Sequence, residues 1–81
     1  MLEKDKLEEL VISELAEILE TEKSKITLES TLMDDLGISS LEVMVLIGNL
    51  EAKTGVTITQ QDIGQIESVS DIIEIIRRKQ Q

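Results

Sequence analysis

Two adjacent serines, Ser39 and Ser40, follow a glycine at Gly37 and precede an apolar run that begins at Leu41. A serine hydroxyl becomes a nucleophile when a neighbouring base takes its proton. The chain contains no histidine, which excludes a conventional hydroxyl triad. It contains no cysteine either, so it has neither a thiolate nor a disulfide of its own. A serine at a helix start can still do something else. Free backbone N–H groups and the helix dipole favour an anion there. A phosphate ester placed on that serine by another enzyme would gain about 0.3–1 kcal/mol from the dipole. The pair therefore reads either as a helix cap or as an attachment point whose chemistry is left to partners. Taken alone, the residues favour the cap.

The remaining candidates are weaker. Asp34 and Asp35 are paired carboxylates, but neighbours in a turn point apart and no calcium-loop pattern follows them. Arg77, Arg78 and Lys79 form too short a run for a nucleic-acid patch and suit the negative end of a helix. Gly37, Gly48, Gly55 and Gly64 lack phosphate-loop spacing. No metal site and no catalysis by the chain's own side chains are expected.

Composition narrows the partners. Eighty-one residues make one domain, 1–81. With no aromatic residue, its core must be built from Leu, Ile, Val, Met and Ala. Such a core repacks readily, and Met33 and Met44 are its most adaptable members. Seventeen acids against eight bases give a net charge of −9, which disfavours nucleic acid and anionic membranes and attracts basic partners. No apolar run approaches the ~18 residues of a membrane span and no secretory signal opens the chain, so the expectation is a cytoplasmic monomer without membrane insertion.

The elements that must position the serines follow from periodicity. Leu7, Leu10, Val11, Leu15, Ile18 and Leu19 predict a helix over about residues 3–20, with Glu9, Ser13, Glu17 and Glu20 on the opposite face. Residues 21–39 form a connection far beyond the usual ~4–6 residues. Ile26, Leu28, Leu32, Met33, Leu36 and Ile38 are expected to pack it down, with Thr27, Ser30 and Thr31 satisfying local backbone groups. A second helix starts at Ser39 or Ser40 and runs to about Thr54, with Gly55 as its stop. It carries two apolar arcs: Val43, Leu46, Ile47 and Leu50, and then Leu41, Met44, Val45 and Ala52. Such a helix is buried on both sides, or buried on one and used for binding on the other. Val56 and Ile58 are extended, and a short helix over about 60–65 follows Thr59, weakened by Gly64. The last helix has the Ser68 to Asp71 start spacing and a Val69, Ile72, Ile73, Ile76 face. The fold class is all-α: a small bundle of three main helices plus one short helix, with a long first loop.

The stretch "DDLGISSLEVMVLIGNLEAKTGVTI", followed by a short helix and "SVSDIIEII", resembles the acyl carrier protein family over essentially the whole chain. The resemblance implies that Ser40, just before Leu41, is the residue that accepts 4'-phosphopantetheine from coenzyme A through a phosphopantetheinyl transferase. The arm ends in a thiol that carries acyl groups as thioesters, and Ser39 is left as the cap. It further implies a partner surface of Ser39, Leu41, Glu42, Met44, Val45 and Glu51, facing acyl-loading and acyl-processing enzymes with basic docking surfaces. Met44, Ile47, Ile63, Ile66 and Ile72 become the lining for an aliphatic cargo. Two departures stand out. Ser39 replaces the family's usual Asp, and Val45 and Ala52 stand where Glu is common. The carrier is expected to serve a fatty-acid, polyketide or specialised lipid pathway, the departures arguing against general fatty-acid synthesis. An aminoacyl or peptidyl carrier, and an unmodified helical interaction module, are the alternative readings.

Overall fold

Residues 4–80 are described by the structure, a computed structural model. Helix α1, Lys4–Leu19, buries Leu7, Val11, Leu15 and Ala16, and it packs against both long helices that follow. The expected start at residue 3 lies outside the described residues. The helix stops one residue earlier than periodicity predicts. Glu20 takes a left-handed φ of 53°, its N–H donates to the Glu17 carbonyl at 3.3 Å, and the Thr21 N–H donates to the Ala16 carbonyl at 3.0 Å. This is a Schellman-type end with a glutamate in the position usually given to glycine.

The long connection is packed down, as its apolar content demands. It contains one 3-10 turn, Lys23–Lys25, and buries Ile26, Leu32 and Ile38, with Leu28 and Leu36 partly covered. Met33 departs from the expectation. It is 60% exposed and anchors nothing. Backbone groups do the rest of the holding. The Leu32 N–H donates to the Glu67 carbonyl at 2.9 Å, and the Val69 and Ser70 N–H groups donate to Ser30 and Leu28 carbonyls at 3.0 Å each. The loop thus supplies acceptors for donors at the start of the last helix, which an isolated helix end would leave unpaired. Thr31 and Asp35 lock the turn: the Asp35 carboxylate accepts from the Thr31 N–H at 2.9 Å, and Thr31 Oγ1 accepts from the Asp35 N–H at 3.0 Å.

Helix α2, Ser40–Thr54, buries Val43, Leu46, Ile47 and Leu50 and ends at Gly55, whose φ of 74° suits glycine. Its second apolar arc is open: Leu41, Met44 and Val45 are 75%, 54% and 46% exposed. Val56 and Ile58 are buried in extended backbone, and α3 follows as a single turn, Gln60–Ile63, rather than the expected run to residue 65. Helix α4, Val69–Gln80, buries Val69, Ile72, Ile73, Ile75 and Ile76. Ile75 lies outside the face that periodicity predicts and is buried all the same. No helix among the described residues is long and apolar enough to cross a membrane.

Three ion pairs cross between elements among the described residues, one of them joining Lys23 of the 3-10 turn to Glu9 of α1. Glu14 is only 4% exposed and pairs with Lys53 of α2, a contact between residues 39 apart in sequence. That hydrogen bond raises the Lys53 pKa. Lys79 pairs with Asp62 and also donates to the Thr57 carbonyl at 2.8 Å, so α4 clasps α3 and its approach segment. The Lys79 ammonium, then the Thr59 N–H, hold the Asp62 carboxyl down at about 2. A depressed carboxyl stabilises the fold above its ordinary value of ~3.9 and loses that contribution as pH falls towards the folded value. NMR titration of the Asp62 carboxyl should therefore give a midpoint near 2. Lys79→Met should move it up towards the ordinary range. An unchanged midpoint would show that the clasp does not hold.

Candidate functional site

The start of α2 is set before the helix begins. Gly37 has a φ of 65°, which reverses the chain, and the buried Ile38 donates its N–H to the Leu32 carbonyl at 2.9 Å. Ser39 then has the extended backbone of an N-cap. Its Oγ accepts from the Glu42 N–H at 3.1 Å, and Glu42 Oε1 accepts from the Ser39 N–H at 2.8 Å. This reciprocal arrangement is a capping box. Ser40 is the first residue of α2 and is exposed. The helix has no need of its hydroxyl, because Ser39 already makes the cap. An accessible hydroxyl beside the electropositive end of a helix fits a phosphate ester in both charge and access.

The expected partner residues do not behave as one set. Leu41, Met44 and Val45 form an open apolar strip running from the serines along α2. Glu42 and Glu51, the acids of α2, are half-buried and already engaged. Glu42 closes the capping box, and Glu51 Oε2 accepts from the Ile58 N–H at 2.7 Å, holding the segment before α3. The expected cargo lining also divides. Ile47 and Ile72 lie in the core, Ile63 and Ile66 pack partly buried against it, and Met44 stands half out of it. Ile66 also borders a shallow pocket of about 140 Å³ with Met33 and Asp34.

One surface feature has no periodic signature in the sequence. A groove of about 470 Å³ lies between the end of α1 and the start of α2, lined by Leu19, Thr21, Lys25 and Leu36. Gly37 and Glu42, on either side of the serine pair, border it as well, as does Asp35. Its parts come from three separate segments, so no local pattern in the sequence records it.

Comparison with known proteins gives a consistent result. The family model described as "Phosphopantetheine attachment site" matches residues 9–76. The chain is similar to proteins named acyl carrier protein from Rickettsia canadensis (strain McKiel) and Rickettsia prowazekii (strain Madrid E). They are 37% and 36% identical over 76 residues, covering 94% of this chain and 88% of each relative. It is also similar to a solved structure described as an acyl carrier protein from Mycobacterium tuberculosis. That match has a TM-score of 0.83 and 32% identity and covers 89% of this chain and 96% of that one.

The division of labour between the two serines is measurable without any modification. Ser39→Ala should cost about 1 kcal/mol of stability in denaturant unfolding, the usual loss for an N-cap. Ser40→Ala should cost no more than a few tenths of that. Equal losses would mean that both hydroxyls support the helix start.

Proposed function

The chain belongs to the acyl carrier protein family, and from that premise we propose that Ser40 is the residue through which it holds its 4'-phosphopantetheine. The covalent arm supplies the thiol on which acyl groups are carried as thioesters. The observation that carries the Ser40 assignment is the capping box: Ser39 and Glu42 satisfy the helix start, and the neighbouring hydroxyl is left exposed. With no histidine in the chain, the base that takes the Ser40 proton belongs to a phosphopantetheinyl transferase. Coenzyme A is the arm's donor. The whole chain serves as one carrier domain, working as a cytoplasmic monomer with catalysis left to its partners.

Intact mass after incubation with coenzyme A and a transferase tests the assignment. Wild type should gain one arm, Ser40→Ala none, and Ser39→Ala one arm at a reduced rate. Modification that persists in Ser40→Ala would overturn the assignment.

The aliphatic cargo is assigned to the interior beside Ile47, Ile63, Ile66 and Ile72, with Met44 at its outer edge. An aromatic-free core supports this reading, since each buried methylene contributes up to ~0.8 kcal/mol against the cost of opening the helices. Partners are assigned to the outer face of α2. The net charge of −9 draws basic enzymes towards the carrier, but Glu42 and Glu51 already hold backbone groups. Leu41, Met44 and Val45 are then the contact on this helix, flanked by Ser39. An apolar strip at that place favours a specialised pathway over general fatty-acid synthesis. The exposed Val45→Glu variant should lose up to about tenfold in kcat/KM with its cognate enzyme, ~1.4 kcal/mol. The same change should improve loading by a general fatty-acid synthesis enzyme. Unchanged kinetics with both would remove position 45 from the interface.

A further inference from the structure

We propose that Gly48 is a specificity-determining position of the carrier: it leaves a gap in the exposed face of α2 that seats a large apolar side chain of the phosphopantetheinyl transferase. The proposal rests on the reading of Ser40 as the attachment residue and of α2 as the partner face, and it deepens both. Nothing inside the fold requires a glycine here. Gly48 lies in the middle of α2 and is exposed, and its φ is not left-handed, unlike those of Gly37 and Gly55. A Cβ built on it would meet no heavy atom of another element within 4 Å, so no close approach within the chain depends on the missing side chain. A glycine inside a helix is nonetheless destabilising, because it loses more backbone freedom on folding than any other residue. A destabilising residue without an internal role points to a contact outside the chain.

The face on which it lies is already open. At 100° per residue, Leu41, Val45, Gly48 and Ala52 fall within about 60° of one another, with Met44 beside them. All five are exposed. The strip is bulky near the serines, loses its side chain altogether at Gly48, and carries a single methyl at Ala52. An enzyme lying along this strip while it loads Ser40 also covers Gly48, which is only ~12 Å further along the helix. A standard interface patch of ~800 Å² is about 30 Å across. Charge selects the same occupant. Glu42 and Glu51 lie on opposite edges of the strip and accept from neutral N–H groups. Neither takes part in the three ion pairs formed among the described residues, whereas Lys53, the cation of α2, is paired with Glu14. Both edges therefore keep their negative charge. An enzyme that holds the phosphates of coenzyme A must present basic groups around its active site. An apolar gap with acidic edges is complementary to an apolar side chain among such groups.

The test uses the apo protein, coenzyme A and the transferase that loads the wild type, with intact mass reporting the arm. Gly48→Ala should raise the thermal midpoint by about 4–8 °C. Gly48→Leu should also be no less stable than wild type, so misfolding does not enter. Filling the gap should weaken docking without touching the reacting hydroxyl. KM for the carrier should therefore rise about threefold in Gly48→Ala and at least tenfold in Gly48→Leu, with kcat within about twofold of wild type. Loading of Gly48→Leu with an unchanged or lower KM would overturn the proposal, as would a loss confined to kcat. A lower thermal midpoint in Gly48→Ala would overturn its premise, since the fold itself would then need the glycine. Wild type that gains no arm would overturn the Ser40 reading and this proposal together, and it is distinguished by needing no variant to see.

Discussion

The reciprocal hydrogen bonds between Ser39 and Glu42 decide where α2 begins, and the arrangement of the site depends on that choice. A helix start must find acceptors for its leading N–H groups. Here one serine and one glutamate meet part of that demand together. The buried Ile38, held to Leu32, and the left-handed Gly37 fix the register in which they do so. Were the cap one residue later, the two hydroxyls would exchange roles. Because Ile38 cannot leave the core without exposing its side chain, the register is held by burial as well as by hydrogen bonds.

The same economy governs the acids. In a chain with a net charge of −9, carboxylates could all be solvated, yet many close turns or helix ends. Asp35 locks the turn with Thr31, and Asp62 caps α3 against Thr59. Asp71 accepts from the Glu67 and Ser68 N–H groups, which hold its carboxyl below the usual range. Glu51 secures Ile58. A net charge of −9 produces a long-range field that favours cationic groups, while Leu41, Met44 and Val45 leave an exposed apolar strip on α2.

The helices around the aliphatic core are tied together by hydrogen bonds between distant segments. Backbone hydrogen bonds between the long loop and the start of α4 do this on one side. On the other, Lys79 clasps α3 and the segment before it. Between these ties the elements beside Ile63 and Ile66 are short, α3 being a single turn.

Periodicity determined the three long helices and most of the buried positions, the start signal at Thr59 the short helix, and composition the aliphatic character of the core. Composition excluded catalysis through histidine or cysteine, and the motif around Leu36 and Ser40 carried the family. Each of these depends on residues close together in the chain. What tertiary structure decided was which neighbours each side chain meets. It buried Glu14 through Lys53, 39 residues away, and brought Ile75 inside while leaving Met33 out. It ended α1 at a left-handed Glu20, gave Glu42 and Glu51 to backbone groups, and opened the Leu41, Met44 and Val45 arc to solvent. A helical repeat records distances along one helix, and it cannot record which of two apolar arcs another helix will cover. That depends on how the loop from Thr21 to Ser39 folds back, and on hydrogen bonds between segments that no local pattern encodes.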